Sequence, residues 1–135
     1  MADKQISAII CTHNRDHYLG AAIDSLLAQD FAGEWEVVVV DNNSSDRTRE
    51  VVEQRLENPR LKYVFEPTIG LSVARNTGAR VASAEILAYL DDDAVASPSW
   101  LQVLYTAYQD HPQLAIAGGK VTLIWPPKCD SLGRN

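Results

Sequence analysis

Trp35-Glu36-Val37-Val38-Val39-Val40-Asp41-Asn42-Asn43 is the stretch on which the fold turns. Its four consecutive valines are β-branched, which favours extended backbone over helix. The run is too short for most helices and lacks the polar alternation of a strand with one wet face. It fits a strand covered on both faces, as in a parallel sheet lying between helices. It ends abruptly in Asp41-Asn42-Asn43-Ser44-Ser45-Asp46, a cluster of polar turn formers. Open parallel sheets bind ligands beyond the carboxyl ends of their strands, so this cluster is a first candidate site.

The chain on either side alternates in the same way. Upstream, Ile6 to Cys11 reads as a strand. Asp16 to Gln29 reads as an amphipathic helix, because Tyr18, Leu19, Ala22, Ile23, Leu26 and Leu27 recur at helical spacing. Downstream, Ser44 or Ser45 offers an N-cap for a helix whose face carries Val51, Val52 and Leu56, and Asn58-Pro59 ends it. Leu61 to Phe65 is a strand. Gly70 to Ala82 is a helix weakened by Gly78, and Glu85 to Leu90 is a strand. Ser97-Pro98 supplies a cap and a proline at the first helical position, and Trp100, Leu101, Leu104 and Tyr108 give the next helix its apolar face. Leu114 to Ala117 and Val121 to Trp125 read as strands around Gly118-Gly119. The order βαβαβαβαββ predicts an α/β fold, Rossmann-like, with a mainly parallel sheet in a three-layer α/β/α arrangement. One domain is expected over residues 1–125, followed by an irregular tail over 126–135.

Bulk properties narrow the function. The 135 residues are 46% hydrophobic and 22% charged, the balance of a soluble globular domain. A formal net charge of −6 repels phosphate backbones and argues against nucleic acid as a partner. No run approaches the length of a membrane span, and the N-terminus lacks the apolar core of a secretory signal. The two cysteines, Cys11 and Cys129, have no metal-ligand spacing and read as reduced thiols without a role. A cytoplasmic location is expected, with peripheral attachment at the inner face of the membrane as the second option.

Three strands end in polar clusters: Thr12-His13-Asn14-Arg15, the Asp41 to Asp46 run, and Asp91-Asp92-Asp93. In a parallel sheet all three lie along one edge, and that convergence says more than any cluster alone. The acidic triplet is the sharpest of them. Taken in isolation, it would be a solvated acidic turn. Placed directly after the apolar run Ile86 to Leu90, it reads as a ligand or metal site. A hard cation such as Mg²⁺ or Mn²⁺ takes one or two carboxylates and completes its shell with phosphate oxygens. Asp41 has two readings: a turn aspartate bonded to its own backbone, or an acceptor for a base N–H or sugar hydroxyl, the second being preferred. Asp46 is expected in the first turn of the second helix, favouring its dipole. Gly70-Leu71-Ser72 points the start of the third helix, with Arg75 and Asn76, at the same edge, where anions bind well. His13 and Asn14 either line a base pocket or are ordinary surface residues.

Four segments together resemble family 2 glycosyltransferases with the GT-A fold. They are Ile9-Ile10-Cys11-Thr12-His13-Asn14-Arg15, Val38-Val39-Val40-Asp41-Asn42-Asn43-Ser44-Ser45-Asp46, Gly70-Leu71-Ser72-Val73-Ala74-Arg75-Asn76-Thr77-Gly78, and Tyr89-Leu90-Asp91-Asp92-Asp93-Ala94. The resemblance implies a nucleotide-diphosphate sugar as ligand, with uridine the expected nucleoside. It implies Mn²⁺ or Mg²⁺ as cofactor, and an acceptor on a polysaccharide, lipid or protein glycan. Thr12 and His13 would form the loop beside the base, Asp41 would hydrogen-bond it, and Arg75 would contact base or phosphate. Arg15 would join the nucleotide-sugar-binding residues. Asp91, Asp92 and Asp93 match the DXD motif: Asp91 and Asp92 would join the nucleotide-sugar-binding residues, Asp92 touching the ribose, with Asp93 coordinating the metal. The reaction implied is metal-dependent transfer with inversion at the anomeric carbon. The family's catalytic base lies beyond its DXD region, in a longer domain, and nothing around Asp130 resembles it. The chain is therefore expected to be an N-terminal donor-binding part, truncated at its C-terminus. The alternative function is a nucleotide-sugar-binding fragment without turnover. A receiver-like signalling domain is excluded, because Thr12-His13-Asn14 and Glu66-Pro67 stand where it needs acidic residues. A nicotinamide-binding domain is excluded by the lack of GxGxxG after the first strand.

Overall fold

A computed structural model describes residues 3–113. The elements run β1 (Ile6–Thr12), α1 (Asp16–Leu27), β2 (Trp35–Asp41), α2 (Thr48–Glu53), β3 (Leu61–Phe65), α3 (Leu71–Val81), β4 (Ile86–Tyr89) and α4 (Trp100–Asp110). The strands form one sheet in the order β3-β2-β1-β4, and every neighbouring pair is parallel. The expected strands at Leu114 to Ala117 and Val121 to Trp125 lie outside the described residues.

The valine run behaves as its composition demands. All seven residues of β2 are buried. Strand alternation sends Ile6, Ala8, Ile10, Trp35, Val37 and Val39 to one face. There they pack with Leu19, Ile23 and Leu26 of α1, Val52 of α2 and Leu101 and Leu104 of α4. Ile9, Val38 and Val40 point to the other face and pack against Ala74 of α3. The result is a three-layer α/β/α arrangement. Each fully buried Val or Ile contributes roughly 1.5–3 kcal/mol relative to exposure, so the paired centres of β1 and β2 hold the layers together.

Gly78 has a packing reason. A Cβ there would meet Ile9 Cγ2 at 2.7 Å and Val40 Cγ2 at 3.2 Å, so the glycine lets α3 lie close against β1 and β2. Toward the amino end of the same face, the alternation places a carboxylate in the interior. Glu36 is fully buried, receiving the Lys62 ammonium at 2.6 Å, the Ser83 N–H at 2.6 Å and the Ser7 hydroxyl at 2.7 Å. Burial pushes its carboxyl up, but the bonds from Lys62, Ser83 and Ser7 outweigh it and hold the group below the usual carboxylate range.

Several boundaries differ from expectation. α2 starts at Thr48, not beside Ser44 or Ser45, and its N-cap residue is Arg47, with no side-chain cap bond. Asp46 stands before the first turn, where its Oδ1 accepts the Thr48 N–H at 3.0 Å and the Thr48 hydroxyl at 2.5 Å. Ser44 and Ser45 are instead committed to the β1 loop, as described below. α4 starts at Trp100, because residues 97–100 first form a turn closed by the Trp100 N–H on the Ser97 carbonyl at 3.1 Å. The Ser97-Pro98 pair thus precedes the helix and does not cap it. Among the described residues no helix is long and apolar enough to cross a membrane.

Candidate functional site

Parallel pairing brings the carboxyl ends of β1, β2 and β4 to one edge. Thr12 stands opposite Asp41 in register, and the ladder continues one step further as the Asn42 N–H donates to the Thr12 carbonyl at 2.8 Å. On the other side of β1, the Leu90 N–H donates to the Ile9 carbonyl at 2.9 Å, which delivers Asp91 to the same edge. The three polar clusters therefore meet.

The first two loops are laced together. Asn14 and Asn43 adopt left-handed backbone at φ 53° and 56°, a region asparagine tolerates better than most residues. His13 Nδ1 lies 2.7 Å from the Asn42 carbonyl, so this nitrogen donates, and Nε2 faces the Asn14 amide nitrogen at 3.3 Å. The Asn14 N–H donates to Ser44 Oγ at 2.9 Å, and its side-chain oxygen accepts the Ser45 N–H at 2.7 Å. Asp46 Oδ2 accepts the Asp16 N–H and Asp16 Oδ2 accepts the Arg47 N–H, each at 3.1 Å. Asp46 is thus a structural clasp between the first two loops.

Asn42 was not singled out from sequence, and it is the hub of the edge. Its amide donates to the Glu66 carbonyl at 3.2 Å and the Thr68 carbonyl at 2.8 Å, while its oxygen accepts the Gly70 N–H at 2.9 Å. One buried side chain therefore ties the loop after β2 to the loop after β3 and to the start of α3. No sequence pattern marks such a hub, since its partners are backbone groups about 25 residues away.

A cleft of about 450 Å³ opens where these loops meet. Thr12, His13, Arg15, Asn42 and all three of Asp91, Asp92 and Asp93 line it. Among the described residues, the rest of its lining is apolar or small: Cys11, Ile69, Gly70, Leu71 and Ala74. Gly70 takes φ 155°, where a side chain would be strained, and it is the N-cap of α3. The amino end of α3 thus borders the cleft, carrying the partial positive charge that suits an anion.

Within the acidic turn each carboxylate has a different setting. Asp92 Oδ2 accepts the Thr12 hydroxyl at 3.0 Å. Burial raises the Asp92 pKa above the usual value; the Thr12 bond and Arg15 oppose that, and Asp93 and Asp91 add to it. Asp93 Oδ2 lies 3.7 Å from Arg15 Nη1, with both side chains about half exposed. Asp91 closes the turn through its carbonyl, which accepts the Ala94 N–H at 3.1 Å. Among the described residues, no three His, Cys, Asp or Glu side chains converge as a complete metal cage. The oxygen donors present fit a divalent cation that takes one or two carboxylates and draws its other ligands from phosphate.

The other sequence candidates lie less directly on the cleft. Asp41 is 2% exposed and does not line it. Its Oδ1 accepts the Ser44 N–H at 3.0 Å and its Oδ2 the Tyr63 hydroxyl at 2.6 Å, so a ligand N–H would have to share an oxygen already engaged. Burial, followed by this bond to Asp41, raises the Tyr63 pKa well above the normal phenol value. Arg75 is exposed on α3, and its carbonyl accepts the Tyr89 hydroxyl at 2.9 Å. Its charge reaches the Cys11 thiol at the cleft wall, but burial dominates there and pushes that thiol up to about 11. Cys11, read from sequence as having no role, is therefore a cleft-lining thiol in its unreactive protonated form.

Residues 7–124 match the family described as Glycosyl transferase family 2, and the chain belongs to that family. It is similar to a validoxylamine A glucosyltransferase of Streptomyces hygroscopicus subsp. limoneus, at 43% identity over 106 residues, covering 76% of this chain and 23% of that protein. Its fold is similar to S. aureus TarS 1-349 in complex with UDP, with a TM-score of 0.73 at 31% identity, over 80% of this chain and 33% of that one. It is also similar to the mannosyltransferase PcManGT from Pyrobaculum calidifontis in complex with GDP-Man and Mn2+, with a TM-score of 0.68 at 29% identity, over 81% of this chain and 34% of that one. The chain thus spans 23–34% of the length of these proteins.

Proposed function

We propose that this chain binds a nucleotide-diphosphate sugar in the cleft at the carboxyl edge of its sheet. There it would serve as the donor-binding part of an inverting glycosyltransferase, with a UDP-sugar as the expected donor. The observation that carries this reading is the meeting of Thr12, His13, Arg15 and the Asp91 to Asp93 turn around one cleft at the start of α3. The similarity to proteins solved with UDP and with GDP-Man and Mn2+ supports a nucleotide sugar as ligand.

The proposed roles follow from the settings of the side chains. Asp93, more exposed than Asp92 and free of a hydroxyl partner, is the proposed metal ligand, with Mn²⁺ or Mg²⁺ as the ion. When bound, such an ion neutralises charge on the leaving diphosphate. The Thr12 hydroxyl orients Asp92, which is proposed to face the ribose beside Asp91. Arg15 and the amino end of α3 supply the remaining positive potential toward the diphosphate. His13 and Asn42 shape the wall beside the base. Asp41 and Arg75 are kept as base contacts on the family resemblance; for Asp41 this requires an oxygen to be shared with Ser44 or Tyr63. The base that deprotonates the acceptor hydroxyl is assigned to none of the described residues, and the acceptor glycan is left open among polysaccharide, lipid and protein.

Thermal stabilisation by UDP, GDP and dTDP, each with and without Mn²⁺, tests the reading, since a ligand bound to the native state raises apparent stability by mass action. A metal-dependent shift with UDP is expected. No shift with any nucleotide would overturn it. The alternative, donor binding without turnover, is separated by a donor-hydrolysis or transfer assay on the same protein.

A further inference from the structure

Among the described residues, three carboxylates line the cleft, and Arg15 is the only Lys or Arg side chain lining it. A diphosphate approaching these described side chains meets net negative charge. Arg15 is paired within the acidic turn: its Nη1 lies 3.7 Å from Asp93 Oδ2. Its partner is the carboxylate proposed as the metal ligand. Arg15 is also the N-cap residue of α1, immediately before Asp16, and its side chain is about half exposed. The Leu19 and Tyr18 N–H groups both donate to the Arg15 carbonyl at 3.1 Å, which anchors that backbone. The Tyr18 ring centroid lies 5.9 Å from the Arg15 guanidinium carbon and offers it an aromatic surface.

We propose that Arg15 is a tethered counter-ion that competes with the metal for Asp93 and is released toward the diphosphate when the metal binds. The inference rests on the donor-site reading above and adds a coupling to it. Before the cation arrives, Arg15 limits the repulsion within the acidic turn. Once Asp93 is taken by the cation, the guanidinium loses its partner and its fork of donors becomes available to phosphate oxygens. Metal and nucleotide then bind cooperatively, because each favours the same position of Arg15.

The test is Mn²⁺ titration of the full chain without nucleotide, followed by UDP titration at saturating Mn²⁺, both by calorimetry. Arg15→Gln removes the competitor. It is expected to bind Mn²⁺ alone about two- to five-fold more tightly, the range that an exposed ion pair delivers. UDP binding at saturating Mn²⁺ should weaken in the same variant. Arg15→Lys, which keeps the charge, should bind Mn²⁺ alone close to wild type. Lys4→Gln, which removes an equal charge from an exposed pair with Glu34 at the opposite edge of the sheet, should change neither affinity. Unchanged or weaker Mn²⁺ binding by Arg15→Gln would overturn the coupling while leaving the donor site standing, as would an equal gain in Lys4→Gln. Wild-type protein that binds neither Mn²⁺ nor UDP would overturn the donor-site reading and this inference together.

Discussion

Replacing Asn42 should show whether the cleft is held by one hub. The residue is 5% exposed, and its side chain makes three hydrogen bonds: to the carbonyls of Glu66 and Thr68 and from the Gly70 N–H. Asn42→Ala removes all three and leaves the partner groups short of water. Each neutral bond is worth about 0.5–1.5 kcal/mol net, so the loss should be about 2–4 kcal/mol. At this chain length that corresponds to roughly 6–15 °C in Tm. The assay is urea unfolding, comparing midpoints at constant slope, since a changed slope would mean a changed unfolded or native ensemble. Asn42→Asp adds a sharper comparison. It keeps the acceptor for Gly70 but turns an ionised oxygen toward the two carbonyls. At neutral pH it should be at least as unstable as Asn42→Ala. As pH falls its carboxyl protonates, above the normal carboxylate range because burial and the two carbonyls disfavour its charge; it then regains one donor, and the gap between the two variants should narrow. A loss under 1 kcal/mol for Asn42→Ala, or a gap between the variants that ignores pH, would refute the hub.

Other consequences follow from single contacts. Glu36→Gln keeps the shape of the buried carboxylate and removes its charge. Because the folded pKa of Glu36 is lowered, its contribution is present above the unfolded value near 4.3 and lost as pH falls through the folded one. The stability gap between wild type and Glu36→Gln should therefore be widest at pH 6–7 and shrink below about pH 4 in urea titrations; a constant gap would contradict it. Gly78→Ala gains up to about 1 kcal/mol of helix propensity but forces a methyl to 2.7 Å from Ile9 Cγ2, so a net loss of about 1–2 kcal/mol is expected by the same assay. Thr12→Val deletes the bond that orients Asp92 and should weaken UDP binding at saturating Mn²⁺ by roughly ten-fold in calorimetry, the equivalent of about 1.4 kcal/mol, with little change in the urea midpoint.

The layers were legible in the sequence because they follow from periodicity alone. Val37 to Val40 have no polar alternation, and every one of them is buried between two helical layers. The convergence of Thr12, Arg15 and Asp91 to Asp93 was legible for the same reason: parallel strands leave their carboxyl ends on one edge. What escaped depends on long-range partners. Ser44 and Ser45 look like caps, but Asn14 takes both, and α2 begins three residues later. Gly78 looks like a weak point in a helix until Ile9 is seen beneath it. Cys11 has no motif, yet its position as the penultimate residue of β1 brings it to the cleft wall.

Paramagnetic broadening tests the placement of the donor most directly. With UDP present, substoichiometric Mn²⁺ should erase amide signals near the ion and spare those far from it. Loss is expected at Thr12 to Arg15, at Asn42, at Gly70 and Leu71, and at Asp91 to Ala94. The amides of Glu36, Lys62 and Ser83, at the amino edge of the sheet, should stay sharp. Broadening centred on that amino edge, or none at all with UDP and Mn²⁺ together, would contradict a metal-dependent nucleotide-sugar site in this cleft.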